Sequence, residues 1–156
     1  MPAYEFSVSA LIRVPAQTLY AIIADYHNGH PQIIPKPPFV SLAVEEGGIG
    51  SGTVIRMQIQ LMGKLQNIRA VVTEPEPGRV LVETNDNGYS SIFTVNPQQD
   101  EQHTNVTITT RLTKAPGLLA AIELWFARRL LQPVYARELE QLAAVAANLS
   151  GTNEAM

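Results

Sequence analysis

Cysteine is absent from the 156 residues, which excludes disulfides, thiolate nucleophiles, iron–sulfur ligation and cysteine-bound zinc together. Any metal site would have to be built from imidazole and carboxylate. Basic residues are few: Lys and Arg total 11 against 14 Asp and Glu, a net charge of −3. A nucleic-acid footprint needs clustered cations to neutralise phosphates, so nucleic acid is not an expected partner. Charged residues are only 16% of the chain, below the roughly 25% of an average soluble domain, and aromatics are only 6%. No uncharged apolar run reaches the ~18 residues of a membrane-spanning helix. Met1 to Arg13 lacks the basic, apolar and small-residue blocks of a signal peptide. The expected location is the cytoplasm. With 46% apolar residues the chain can bury a core, and its length suits one domain, taken as 1–149 with 150–156 as a disordered tail. Little charge and much apolar material leave a surplus of apolar surface to be placed.

Tyr4, Phe6, Val8, Ala10 and Ile12 recur at every second position, the period of a half-buried strand. Val14-Pro15-Ala16 then opens a helix whose apolar stripe is Leu19, Ile22 and Ile23. From His27 to Phe39 the chain carries four prolines and one glycine, which predicts a shaped loop or lid, with any helix short, rather than core. Val40 to Leu112 alternates with period two between turn formers such as Met62-Gly63-Lys64 and Asn85-Asp86-Asn87-Gly88, giving six further strands in an antiparallel meander. After Pro116-Gly117, Leu119, Ile122, Phe126, Leu130, Val134 and Leu142 follow helical spacing, so one long helix ends the chain, kinked at Pro133.

Alternation sorts the strands into faces. The dry sets are Ile55, Met57, Ile59 and Leu61; Ile68, Ala70 and Val72; Val80, Val82 and Thr84; Tyr89, Ser91, Phe93 and Val95; and Val106, Ile108, Thr110 and Leu112, while Glu83 is assigned to the wet face. One helix ~10 Å across cannot cover a sheet of seven strands spaced ~4.8 Å apart. The dry sets hold few large side chains to plug the gap. An apolar cavity between sheet and helix is therefore expected.

Val14-Pro15-Ala16-Gln17-Thr18-Leu19-Tyr20, the segment ending Ile34-Pro35, Gly50-Ser51-Gly52-Thr53-Val54, and Val72-Thr73-Glu74-Pro75-Glu76-Pro77-Gly78-Arg79, followed by the long helix, resemble the polyketide cyclase/dehydrase and lipid-transport branch of the START-like, helix-grip superfamily (SRPBCC). The resemblance implies an α+β helix-grip fold, a seven-stranded antiparallel sheet curved around the last helix with two short helices after the first strand. It also implies an apolar pocket for lipids, polyketides or similar hydrophobic ligands. Many such proteins carry a tryptophan in the lid, where this chain reads His30-Pro31-Gln32-Ile33-Ile34-Pro35.

The ligand-contact candidates are Ile55, Met57, Ile59, Ile68, Val82, Phe93 and Ile108 from the strands, the hydroxyls of Thr84, Tyr89, Ser91 and Thr110, and Ile122, Trp125 and Phe126 from the helix. Buried hydroxyls need partners, which a ligand can supply. Asp25, His27 and His30 are the one close group of metal-ligand types, but a catalytic zinc site needs three ligands that converge, and a pair of loop histidines is the plainer reading. No metal or other cofactor is called for. The glycine run Gly47 to Gly52 precedes a strand rather than a helix, so it reads as a mobile hairpin at the pocket mouth and not as a phosphate cradle. Binding of a hydrophobic small molecule, in transport or sequestration, is the function expected. The alternative is a cyclase or dehydratase using Tyr89, His27 or His30 as acid or base. A third reading takes the alanine-rich end of the helix, Leu139 to Leu149, as a docking face, which would include a homodimer.

Overall fold

The computed structural model describes residues 4–112 and 117–154, and the side chains among these up to residue 149. In chain order the elements are β1 (Glu5–Ile12), α1 (Ala16–Ala24), α2 (His30–Ile33), β2 (Phe39–Glu46), β3 (Val54–Leu61), β4 (Lys64–Glu76), β5 (Val80–Asn85), β6 (Tyr89–Pro97), β7 (Thr104–Leu112) and α3 (Leu118–Glu154). The strands form one antiparallel sheet in the order β1-β7-β6-β5-β4-β3-β2. This is the helix-grip arrangement expected from the resemblance.

β1 and β2 are the two edges, so the α1–α2 connection has to travel from one side of the sheet to the other. It does so along the concave face. α1 starts directly after Pro15, whose carbonyl accepts from the amides of Thr18 and Leu19, and it buries Leu19, Tyr20, Ile22 and Ile23. Register shifts in the β2–β3 and β4–β5 pairings bend the sheet around this layer. The β3–β4 hairpin closes with Met62 and Gly63, both at positive φ, as the two-residue turn that matches strand twist requires.

α3 is gripped by only part of its length. It packs against β1, α1 and α2, burying Val134, Tyr135, Leu139, Leu142 and Ala146, whereas Leu118, Leu119, Ile122, Trp125 and Phe126 near its start stay exposed. In the expected docking segment, Leu139 to Leu149, Leu139, Leu142 and Ala146 face the core, while Glu140, Ala144, Ala147, Asn148 and Leu149 are exposed. Helical backbone continues past residue 149 to Glu154, and the last two residues of the expected tail lie outside the described ones. Pro133 lies inside an unbroken helix.

Three other expectations change. The segment after α1 is core rather than a covering loop: Tyr26, His30, Ile33 and Ile34 are all buried, because α2 folds back onto α1. The glycine run is fastened to the end of α1, with Tyr26 N donating to Gly48 O at 2.7 Å and Gly50 N to Ala24 O at 2.9 Å. None of its residues lines the cavity between sheet and helix. In β5 the facing is opposite to that expected. Leu81 pairs with Phe93 and Glu83 with Ser91, so Leu81 and Glu83 point inward, and Val82 and Thr84 point out. Val80-Leu81-Val82 is apolar throughout and carries no phase of its own, so the neighbouring strand decides.

Candidate functional site: a cavity ending in three buried titratable side chains

Between the sheet and the first half of α3 lies a cavity of about 280 Å³. It is near the small end of the ~300–1,000 Å³ usual for ligand sites. Met57, Ile59, Ile68 and Phe93 form its floor, Phe126, Leu130 and Leu131 of α3 its roof, and Ile34 and Phe39 one side. Glu123 and Tyr89 stand toward the half-exposed outer end, and His30, Glu83 and Glu138 toward the buried inner end.

The inner end is assembled from α2, β5 and α3. A tight turn aims His30: the carbonyl of Asp25 accepts from the amides of Gly29 and His30, and its carboxylate accepts from those of His27 and Asn28. Gly29 is required there, since a Cβ on it would meet the Ile22 carbonyl oxygen at 2.4 Å. That approach lets His30 Nδ1 reach the carbonyl of Ile23 at 2.7 Å. A carbonyl only accepts, so Nδ1 carries the proton. Nε2 then faces Glu83 Oε1 at 3.4 Å and Glu138 Oε1 at 3.8 Å. The ring is fixed between Tyr26, stacked at 4.4 Å, and the edge-on ring of Phe93 at 5.4 Å.

His30, Glu83 and Glu138 are 2%, 4% and 3% exposed, in a region where an isolated charge is expensive. For Glu138, neutralisation follows. Burial, with the charge of Glu83 adding to it, holds the Glu138 carboxyl well above the usual carboxylate range. The Tyr26 hydroxyl donates to Glu83 Oε1 at 2.6 Å, and burial, reinforced by Glu83, pushes its own pKa upward. Thr110 Oγ1 donates to the Tyr135 hydroxyl at 2.7 Å, and burial pushes that phenol up to about 12. Near the mouth, burial, then the charge of Glu123 and a hydrogen bond to it, push the Tyr89 phenol upward. The proton-retaining carboxyl of Glu138 and the carboxyl of Glu83, which accepts from Tyr26, thus flank one imidazole nitrogen, an arrangement able to pass a proton in a buried site.

Of the sequence candidates, Met57, Ile59, Ile68, Tyr89, Ser91, Phe93, Thr110, Phe126 and His30 line this cavity. Ile55 and Ile108 are buried in the adjoining core, Val82 and Thr84 lie on the outer face, and Ile122 and Trp125 are exposed on α3, Trp125 beneath the Arg129 guanidinium. Asp25, His27 and His30 do not converge on a common point: Asp25 caps its turn, His27 Nε2 is bonded to the Gly47 carbonyl, and His30 turns inward. Glu83, Glu138, Tyr26 and Tyr135 are site residues that the sequence reading misses. Glu138 leaves a trace in the pattern, since a charge among Leu131, Tyr135, Leu139 and Leu142 at helical spacing belongs to the apolar stripe.

No helix among the described residues is long and apolar enough to cross a membrane. The family model for polyketide cyclase / dehydrase and lipid transport matches residues 3–147. Among solved structures, the KanY protein is 26% identical, with a TM-score of 0.79 over 94% of this chain and 99% of that one. The Zhui aromatase/cyclase of a Streptomyces species, strain R1128, is 18% identical, with a TM-score of 0.69 over 92% and 93% of the two chains. A START superfamily protein of Mycobacterium smegmatis is 15% identical, with a TM-score of 0.65 over 93% and 98%. Comparison with curated proteins gives no match. With a seven-stranded sheet gripping one long helix over an apolar cavity and a family match across nearly its whole length, this chain belongs to the polyketide cyclase/dehydrase and lipid transport family.

Proposed function

We propose that this protein binds a small hydrophobic molecule between the sheet and α3, its body against Met57, Ile59, Ile68 and Phe126 and its polar end toward His30, Glu83 and Glu138. The observation that supports this most directly is the cavity itself, apolar along its length and closed by buried polar groups at one end. Such a site suits an amphipathic single-chain or ring-system ligand, held for transport or sequestration. A chain without cysteine, and with no spanning helix among its described residues, fits that role in the cytoplasm. Titration with the neutral fluorophore N-phenyl-1-naphthylamine tests the reading. Saturable binding is expected in the wild type, with loss of at least about tenfold in affinity in Ile59→Trp, which fills the floor. Absence of binding, or equal binding by Ile59→Trp, contradicts it.

A second reading is favoured by the placement of His30 Nε2 between two carboxyl groups, and by the aromatase/cyclase among the structural relatives. In it the protein is a cyclase or dehydratase that moves protons on a polyketide-like substrate, with His30 as the base and Glu138 as the acid. Incubation with a poly-β-keto thioester should then give a cyclised or dehydrated product, with rates reduced by roughly 10²–10⁴ in His30→Gln. Unchanged product formation in that variant removes the assignment.

A further inference from the structure

The polar groups of the cavity are unequally supplied with donors and acceptors. The wall carries the carboxyls of Glu83, Glu123 and Glu138, and its only basic side chain among the described residues is His30. Four donors nearby are already committed. His30 Nδ1 is bonded to the Ile23 carbonyl, the Tyr26 hydroxyl to Glu83, the Thr110 hydroxyl to Tyr135, and the Tyr89 hydroxyl to Glu123.

Acceptors are left over. Asn85, two residues along β5 from Glu83 and on the same face, has a buried Oδ1 with no hydrogen-bond partner. Glu138, 3% exposed, keeps its proton through burial and the charge of Glu83, and its one ion contact among the described residues, to His30 Nε2, is long at 3.8 Å. A buried acceptor without a donor is costly, and a ligand that brings the donor relieves that cost on binding. A carboxylate or phosphate head brings acceptors and a further negative charge to a wall shared by Glu83 and Glu123, where Glu138 already keeps its proton rather than add to that charge. Like charges in a poorly hydrated space repel strongly.

We propose that the cavity selects hydrophobic amines, their protonated nitrogen taking the place of the Glu138 proton, which leaves to solvent, and donating to Glu138 and Asn85, and that it rejects carboxylates of the same chain length. This rests on the hydrophobic-ligand reading and names the ligand's polar end. An ammonium group supplies up to three donors and a charge that offsets the excess of carboxyls. A neutral hydroxyl satisfies the acceptors without offsetting the charge, so it ranks between the two.

Displacement of N-phenyl-1-naphthylamine from the full chain at pH 7 and low salt, by octylamine, octanol and octanoate, tests the proposal. Octylamine is expected to displace the probe at a concentration at least roughly tenfold lower than octanoate, since hydrogen bonds to charged groups are among the stronger ones. In Glu138→Gln, shown to be folded by its circular dichroism, that ratio should fall several-fold while octanol is little changed. Octanoate binding as tightly as octylamine to the wild type overturns the proposal, as does a ratio unchanged in a folded Glu138→Gln. If neither the probe nor octanol binds, the hydrophobic-ligand reading itself fails and the proposal falls with it, whereas octanol binding without a preference for the amine overturns the amine assignment alone.

Discussion

The rings of Tyr26 and His30 lie nearly parallel, 17° apart with centroids 4.4 Å from each other, and the Tyr26 hydroxyl reaches past the imidazole to the carboxylate of Glu83. One residue therefore positions both partners of the His30–Glu83 contact, the imidazole by stacking and the carboxylate by donating a hydrogen bond. Tyr26→Phe keeps the ring and deletes the donor. Glu83 then loses a hydrogen bond in a buried setting, for which a loss of about 1–3 kcal/mol in unfolding free energy is expected. Urea denaturation measures it, and a midpoint equal to the wild type's would show that the hydroxyl contributes nothing.

The protonation of Glu138 makes stability depend on pH in a defined direction. Its folded pKa lies above that of an unfolded glutamate, which is ~4.3, so the folded state holds more protons between those two values. Its stabilising contribution is complete below the unfolded pKa and is lost as pH rises through the folded one. Unfolding free energy should decline over that window with a slope of at most ~1.4 kcal/mol per pH unit. Glu83 from β5, His30 from α2 and Tyr26 share the site, and Tyr135 lies one turn back on α3. The contribution of Glu138 is therefore read as the difference between wild type and Glu138→Gln. A pH profile of the same shape in both would contradict the assignment.

Gly29 has ordinary helical φ, −82°, so its need for glycine comes from space alone. The obstacle is main chain of α1, Ile22 O, which cannot rotate away as a side chain can. Gly29→Ala should lower stability by about 1–3 kcal/mol, as overpacking does. It should also lengthen the His30–Ile23 contact, visible as a shift of the His30 imidazole resonances by NMR. An alanine variant with unchanged melting temperature and resonances would be inconsistent with this packing.

The two halves of α3 should respond differently to truncation. Leu142 is fully buried against the core, and Leu142→Ala is expected to cost about 2–5 kcal/mol. Ile122 is 45% exposed, and Ile122→Ala should stay within about 0.5 kcal/mol of the wild type. Thermal denaturation of both variants measures the contrast, and equal losses would mean that α3 is held uniformly.

Much of this architecture is legible in the sequence, for physical reasons that also explain the rest. In β6, Tyr89, Ser91, Phe93 and Val95 alternate with more polar neighbours, so the inward face is readable and the pairing with β7 agrees with it. β5 is not readable in this way: Val80, Leu81 and Val82 suit either face, and a glutamate is ordinarily assigned to water. Its phase is set by Phe93 opposite Leu81, a relation that exists only once the strands are paired. His30 can be named from the sequence as a residue capable of acid–base chemistry. Its partners cannot, because Glu83 and Glu138 come from distant parts of the chain and become a site only through the fold. Gly29 is the extreme case, since what it must avoid is a carbonyl seven residues earlier that local propensity does not describe.

Seen as a mechanical element, α3 is a cantilever. From Val134 onward it is clamped by the core, before that point it lies over the cavity with Leu124, Ala127 and Leu131 only partly buried, and Pro133 sits at the root. A proline removes one rung of the helical hydrogen-bond ladder, so bending concentrates there. Glu138 lies on the clamped side and Glu123 and Phe126 on the overhanging side. The width of the entrance and the geometry of the three titratable groups are thereby mechanically separate. On the proposed hydrophobic-ligand function, substitutions along this first half are expected to alter which molecules enter while the inner end keeps its distances.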